Sequence, residues 1–320
     1  MGRYLLRRLA ISIPVLFGIT LATYAIINLA PGDPVTALIN PEAAATLGPE
    51  FVQQQRERLG LNQPLPVRYV LWLEEIGHGN LGFSLANGQP VGDRIGERVW
   101  PTVRLMLSAL GLAIVVAVPV GMLSAVRQYS VLDYVVTFGA FTAISVPSFF
   151  LGLLCIYVFA LRLGWLPTAG MATVGQPASL DDTIRHLVLP ALVLGLAEAA
   201  PLIRYARSSL LEVIHQEYVV VARAKGLSER LVLYRHALRN ALIPLVTVIA
   251  LGLPRLFGGT VIIEAVFAWP GMGSLALMAV AQRDYPLIMA INLISACIIL
   301  LSNLVADVIY AFVDPRIKYA

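Results

Sequence analysis

Polar residues along this chain gather in short clusters, separated by long runs in which nearly every position is apolar. A helix crossing a hydrocarbon core of about 30 Å needs about 20 mostly apolar residues, because lipid offers no partner to an open backbone amide. Six runs meet that requirement and predict spans at Leu9 to Leu29, Val103 to Val126, Val135 to Ala160, Leu187 to Arg207, Asn240 to Ile263 and Leu287 to Phe312. The fourth is the most polar, since it carries Glu198, Pro201 and Arg204. Pro244 and Pro254, with Gly252, Gly258 and Gly259, predict a bend in the fifth.

The connectors differ in kind. Residues 31–100, between the first two spans, are too many for a simple link and predict a small structured cap. Gly48-Pro49-Glu50 can open a helix that runs through Arg58 and ends at Gly60, and Pro64 to Pro66 precede an amphipathic stretch with Tyr69, Leu71, Trp72 and Ile76. Residues 161–186 and 264–286, rich in glycine and proline, read as irregular loops, the second built around Trp269-Pro270-Gly271-Met272-Gly273. Trp100, Trp165 and Trp269 fall near span ends, where an indole sits well among lipid headgroups.

Composition agrees with the spans: 58% of residues are hydrophobic and 13% charged, about half the charge of a soluble domain. The net charge of +4 could suggest a nucleic-acid partner, but the cations lie beside span ends and not on one soluble face. Arg3, Arg7, Arg8, Arg127, Arg204, Arg207, Arg223, Lys225, Arg230, Arg235, Arg239, Arg316 and Lys318 would share one side of the membrane. The positive-inside rule makes that side, with both termini, cytoplasmic. The first run is long enough to span and lacks a convincing cleavage site, so it reads as an uncleaved helix.

The largest connector on the cytoplasmic side, 208–239, reads as two short helices broken at Gly226, a residue suited to a left-handed helix end. Ser228 can cap the second, and Ala222 and Ala224 leave only small side chains near the turn, so that a partner could approach the backbone. Spacing alone fits a docking loop and a plain helical hairpin equally.

Several chemistries find no support. Only Lys225 and Lys318 are lysines, and neither ends a phosphate-cradling Gly-x-x-x-x-Gly-Lys loop, so any ATP has to be handled by another subunit. The histidines His78, His186, His215 and His236 lack metal-ligand spacing and read as solvated or interfacial, and Cys155 and Cys297 lie within spans. No nucleophile elbow or paired intramembrane carboxylates are present. Two ionisable residues do lie inside spans, Glu198 and Arg255, and either pair with each other or face a water-filled path.

Arg7-Arg8 before the first span, Pro31-Gly32-Asp33-Pro34, and Arg58-Leu59-Gly60-Leu61 with Pro64-Leu65 and Tyr69 form a recognisable opening. The most specific stretch is Glu217-Tyr218-Val219, Ala222-Arg223-Ala224-Lys225-Gly226-Leu227, then His236-Ala237-Leu238-Arg239-Asn240-Ala241-Leu242-Ile243-Pro244. Glu264, Phe267, Trp269-Pro270-Gly271, Gly273, Arg283-Asp284-Tyr285-Pro286 and Asp314-Pro315-Arg316 follow. Over almost its full length the chain resembles the dipeptide, oligopeptide and nickel permease family of bacterial ATP-binding-cassette importers. Asn80 departs from the family's usual Asp, and Glu198 and Arg255 are not expected there.

The resemblance implies an all-α integral membrane protein with type I importer architecture. Its parts would be residues 1–30 as the N-terminal end and first helix, 31–100 as an extracytoplasmic segment, 101–312 as a permease core, and 313–320 as a tail. It further implies a companion permease, two cytoplasmic ATPase subunits that bind the ATP, and an extracytoplasmic substrate-binding protein. Glu217, Tyr218, Ala222, Arg223, Ala224, Lys225 and Gly226 would form the ATPase-docking loop, with no cofactor in this chain and di- or oligopeptides as cargo. Nickel or another small solute is the nearest variant. An autonomous channel or secondary transporter using Glu198 and Arg255, and a membrane scaffold, are readings of other classes.

Overall fold

The computed structural model describes residues 2–29, 62–177 and 179–313, with isolated positions between 50 and 57, and side chains from Leu6 to Ile309. The motifs at Pro31 to Pro34, Arg58 to Leu61 and Asp314 to Arg316, and all but isolated positions of the helix expected from Pro49 to Arg58, lie outside these residues. The described chain is almost entirely helical. Its one β feature is an isolated bridge between Phe83 and Pro90.

Among the described residues, five helices are long and apolar enough to cross a membrane. They are α1 (Gly2–Leu29), α3 (Val91–Val126), α6 (Leu180–Ile214), α9 (Arg239–Val266) and α11 (Tyr285–Val313). Shorter helices are α2 (Leu65–Gly77), α4 (Val131–Ser145), α5 (Ser148–Cys155, prolonged by a π-helical Ile156–Arg162), α7 (Glu217–Ala224), α8 (Glu229–Leu231) and α10 (Met272–Ala281). π-helical Val232–Leu238 joins α8 to α9. Pro244 and Pro254 lie inside α9, and the helix continues through both.

The third expected span, Val135 to Ala160, is broken: it consists of two helices, α4 and α5, which together meet the length and apolarity needed to span but are bent by 102°. Pro147 forces the break: it has no amide hydrogen to donate, and it excludes the α conformation at Val146, which is extended at φ −82°, ψ 124°. Two expected loops also contain helix. Ser179 accepts a 3.1 Å hydrogen bond from the Asp182 amide and starts α6 inside the expected 161–186 loop. Residues 272–281 of the expected 264–286 loop form α10.

The chain divides into two compact units, residues 1–100 with 274–300, and residues 101–273 with 301–320. In the first, α2 lies on α1 through Tyr69, whose hydroxyl is 2.8 Å from that of Thr20 and whose ring is 5.2 Å from Tyr24. Asp284, fully buried, accepts from Ser84, from the Leu85 amide at 3.1 Å and from Arg94 at 3.4 Å, tying the segment before α3 to the turn before α11.

In the second unit α3 and α6 pack through small residues, as membrane helices do when backbones must come close. A Cβ added to Gly121 would lie 2.7 Å from Ala206 Cβ, and one added to Gly195 would lie 2.7 Å from Leu112. Alanines 109, 113 and 117 are fully buried along the same seam. At the far end of α9 a closed turn forms around Glu264, which is fully buried and accepts a 2.6 Å hydrogen bond from Thr102. Trp269 does not anchor at a headgroup level: it is fully buried and donates to the Pro101 carbonyl at 3.0 Å, whereas Trp100 and Trp165 are exposed.

Candidate functional site

The hairpin of residues 217–238 follows α6 and leads into α9. Gln216, in an extended conformation, sets the start of α7, and Glu217 in its first turn complements the positive end of the helix. Val219 and Ala222, one turn apart, point inward and pack with Val232 against the half-buried Val213. This packing, not propensity, holds so short a helix.

Lys225 donates to the Val221 carbonyl at 3.0 Å and Gly226 to that of Arg223 at 2.9 Å, closing the helix. Gly226 then turns left-handed at φ +78°, with open space where a side chain would stand. Ser228 differs from expectation. It is extended as a cap residue should be, but its hydroxyl makes no capping hydrogen bond.

Arg223 braces the turn instead, donating to both Glu229 oxygens at 2.7 and 3.1 Å and to the Ile214 carbonyl at 3.4 Å. Hydrogen bonds to Glu229 raise the Arg223 pKa above its ordinary value. Both groups are solvent-exposed, so the pair is worth at most about 1 kcal/mol and acts mainly as a geometric brace. Asn240 donates to the Tyr218 hydroxyl at 2.9 Å, fastening the outer side of α7 to the start of α9.

The expected docking residues thus fall into three sets. Glu217, Tyr218, Ala224, Lys225 and Gly226 are exposed, Arg223 is partly exposed and braces the turn, and Ala222 is buried within the hairpin and serves its packing. Val220 and Val221, not singled out from the sequence, stand 52% and 50% exposed beside Tyr218 at 42%. These three side chains form an exposed apolar patch on an otherwise polar connector. The signal was present in the run of three valines, of which helical spacing can bury only one face.

Glu198 and Arg255 stand on α6 and α9 and interact electrostatically, yet among the described residues no hydrogen bond or ion pair joins them. Glu198 is half-buried and Arg255 exposed, its guanidinium close to where a Gly252 side chain would be, at 3.6 Å. Among the described residues no group of three His, Cys, Asp or Glu could hold a metal ion.

A second polar cluster, unmarked in the sequence, fixes the foot of α4. Asp133 is buried and accepts two hydrogen bonds from Arg207, from Nε at 2.7 Å and Nη2 at 2.8 Å. It also accepts from the Ser124 hydroxyl and from the Tyr129 amide at 3.0 Å. Nothing in the spacing of residues 124, 133 and 207 announces that they meet.

Residues 117–319 match the family described as the binding-protein-dependent transport system inner membrane component, and residues 1–106 match its N-terminal companion. The chain belongs to that family. Relatives support it along the whole length. The chain is 44% identical over 320 residues to the oligopeptide transport system permease protein AppB of Bacillus subtilis, covering 100% of both. It is 38% identical to the dipeptide permease DppB of Alkalihalophilus pseudofirmus, covering 99% of each, and to the glutathione permease GsiC of Escherichia coli K12, covering 100% of each.

Among solved structures, the inward-facing MetNI methionine ABC transporter aligns with a TM-score of 0.56 at 18% identity, over 69% of this chain and 96% of that one. That likeness establishes the importer-permease fold. The chain is therefore a multi-pass inner-membrane transport component, and several of its helices are long and apolar enough to span a membrane.

Proposed function

We propose that this chain is one of two permease subunits of a peptide importer, and that a cytoplasmic ATPase docks on the exposed face of α7. The observation that carries the docking reading is the split of that helix: Val219 and Ala222 hold it from within, leaving Tyr218, Val220 and Val221 outward beside an open Gly226. A rigid helix presented this way can follow a groove on the ATPase, so that ATP-driven closure moves the attached spans. Such coupling needs contacts that differ between the two states, not tight binding alone.

Hairpin and termini lie on the cytoplasmic side in this reading, and residues 31–100 face the substrate-binding protein. Short peptides are the cargo class, supported by relatives that carry oligopeptides, dipeptides and glutathione. Glu198 and Arg255 face the pathway, because an exposed guanidinium inside an apolar helix needs water or a partner. The experiment is co-purification with the ATPase subunits. Binding is expected to be lost when residues 217–226 are deleted or Val221→Asp is introduced, and its survival in both variants would sink the docking site. ATP-independent peptide uptake by this chain alone in vesicles would overturn the whole reading.

A further inference from the structure

We infer that Asp133 and Arg207 are positioning residues for energy coupling: they form the joint through which movement of the hairpin reaches the bent third span, α4 and α5. The inference rests on the docking reading above.

Arg207 lies on α6 roughly 10 Å before its end at Ile214, counting about 1.5 Å per residue. That end is bound firmly to the hairpin. Leu210 packs with Ala237 and Ala241, and Arg223 donates to the Ile214 carbonyl. A displacement of α7 therefore displaces the end of α6.

The body of α4 packs along α6, with Ala140 buried, and an open apolar pocket of about 480 Å³ runs beside this contact, lined by Val136 and Ala143 of α4 and by Val116, Leu196 and Ile203 of α3 and α6. Apolar packing of this kind is non-directional and does not by itself fix the angle between two helices. The directional grip on α4 is polar. The two-pronged Arg207–Asp133 contact fixes distance and angle together, and the Ser124 and Tyr129 donors fill the remaining acceptor sites of the carboxylate. One turn earlier on α6, Arg204 lies 5.1 Å from the centre of the Phe141 ring, holding the same helix further along.

A pair serving only to stabilise α4 would not need to sit on the helix that carries the hairpin. Its place makes it a transmission point. The salt bridge also closes over the turn at Tyr129, whose φ of +62° is left-handed, so the carboxylate holds the α3–α4 corner in a conformation side chains rarely adopt.

The test uses the complete importer, both permeases, ATPases and binding protein, in lipid vesicles, with ATP hydrolysis and uptake of a labelled short peptide measured together. Arg207→Ala and Asp133→Asn are expected to keep the ATPases bound and hydrolysing while peptide taken up per ATP falls at least tenfold. Arg207→Lys, which keeps the charge but loses the two-pronged geometry, should fall between these and the parent. Unchanged uptake per ATP in the first two variants would overturn the joint. So would hydrolysis and uptake falling in equal proportion in all three, the mark of a purely structural strut. Docking is judged separately: if both Val221→Asp and the 217–226 deletion keep their ATPases while Arg207→Ala uncouples, the docking site is wrong and the polar contact between α4 and α6 still couples. If Val221→Asp releases its ATPases while Arg207→Ala stays coupled, the docking site stands and the joint is wrong.

Discussion

The two ends of α9 are built on opposite principles. At its start, the hairpin buries Val219, Ala222 and Val232 and leaves apolar side chains of α7 outside. At its end, the turn through Trp269 and Gly273 buries most of its side chains, including that of Glu264, and presents no comparable face. The first is held mainly by a few apolar contacts and a solvent-exposed ion pair, the second by buried hydrogen bonds within its own fold. A surface that must meet a partner has to leave apolar area uncovered in the free chain, whereas a structural turn has no reason to.

Substitutions that break the contrast should act on stability at one end and on association at the other. The largest effect is expected at Gly271, where an added Cβ would overlap the Glu264 carboxylate. Gly271→Val must displace that buried group, and a loss of about 3 kcal/mol is expected, read as a lowered thermal midpoint and less monodisperse protein in detergent. Next comes Thr102→Val, which removes the hydroxyl that donates to Glu264 and accepts from the Met272 amide at 2.8 Å. Two buried groups lose a partner, so about 2 kcal/mol of stability is expected to go, by the same measurement.

At the other end, Val221→Asp should leave the thermal midpoint where it is and weaken ATPase binding at least tenfold, about 1.4 kcal/mol, in a titration of the purified subunits. A shifted midpoint with unchanged binding would erase the distinction between the two ends. The smallest change belongs to Arg223→Ala, which removes an exposed brace worth less than about 1 kcal/mol. It should loosen hydrogen exchange at residues 223–229 while the rest of the chain keeps its protection.

Legibility in the sequence followed the range of the interactions involved. The apolar runs announced the spans because the demand for internal backbone hydrogen bonds in lipid acts on each segment alone. Gly226 was readable for the same reason, since a left-handed turn is a local demand, and the observed φ of +78° meets it. Pro147 carried an equally local signal, and the single span expected over Val135 to Ala160 gave it too little weight against the apolar run. Trp269 is a different case. Its place near a span end fitted a headgroup anchor, and only the approach of Pro101, far away in the chain, made it a buried hydrogen-bond donor.

What the sequence by itself determined is therefore the membrane class, the positions of the spans, the glycine-broken hairpin and the family, because each rests on periodicity, composition or a contiguous motif. The tertiary structure alone decided which face of α7 is left outward, that Glu198 and Arg255 share a neighbourhood without joining, and that Ser124, Asp133 and Arg207 meet. The physical reason is common to all three. Helices pack through side chains from distant parts of the chain, and a residue's neighbours across a seam as narrow as Gly121 on Ala206 are chosen by the pairing of whole helices, which no single segment encodes.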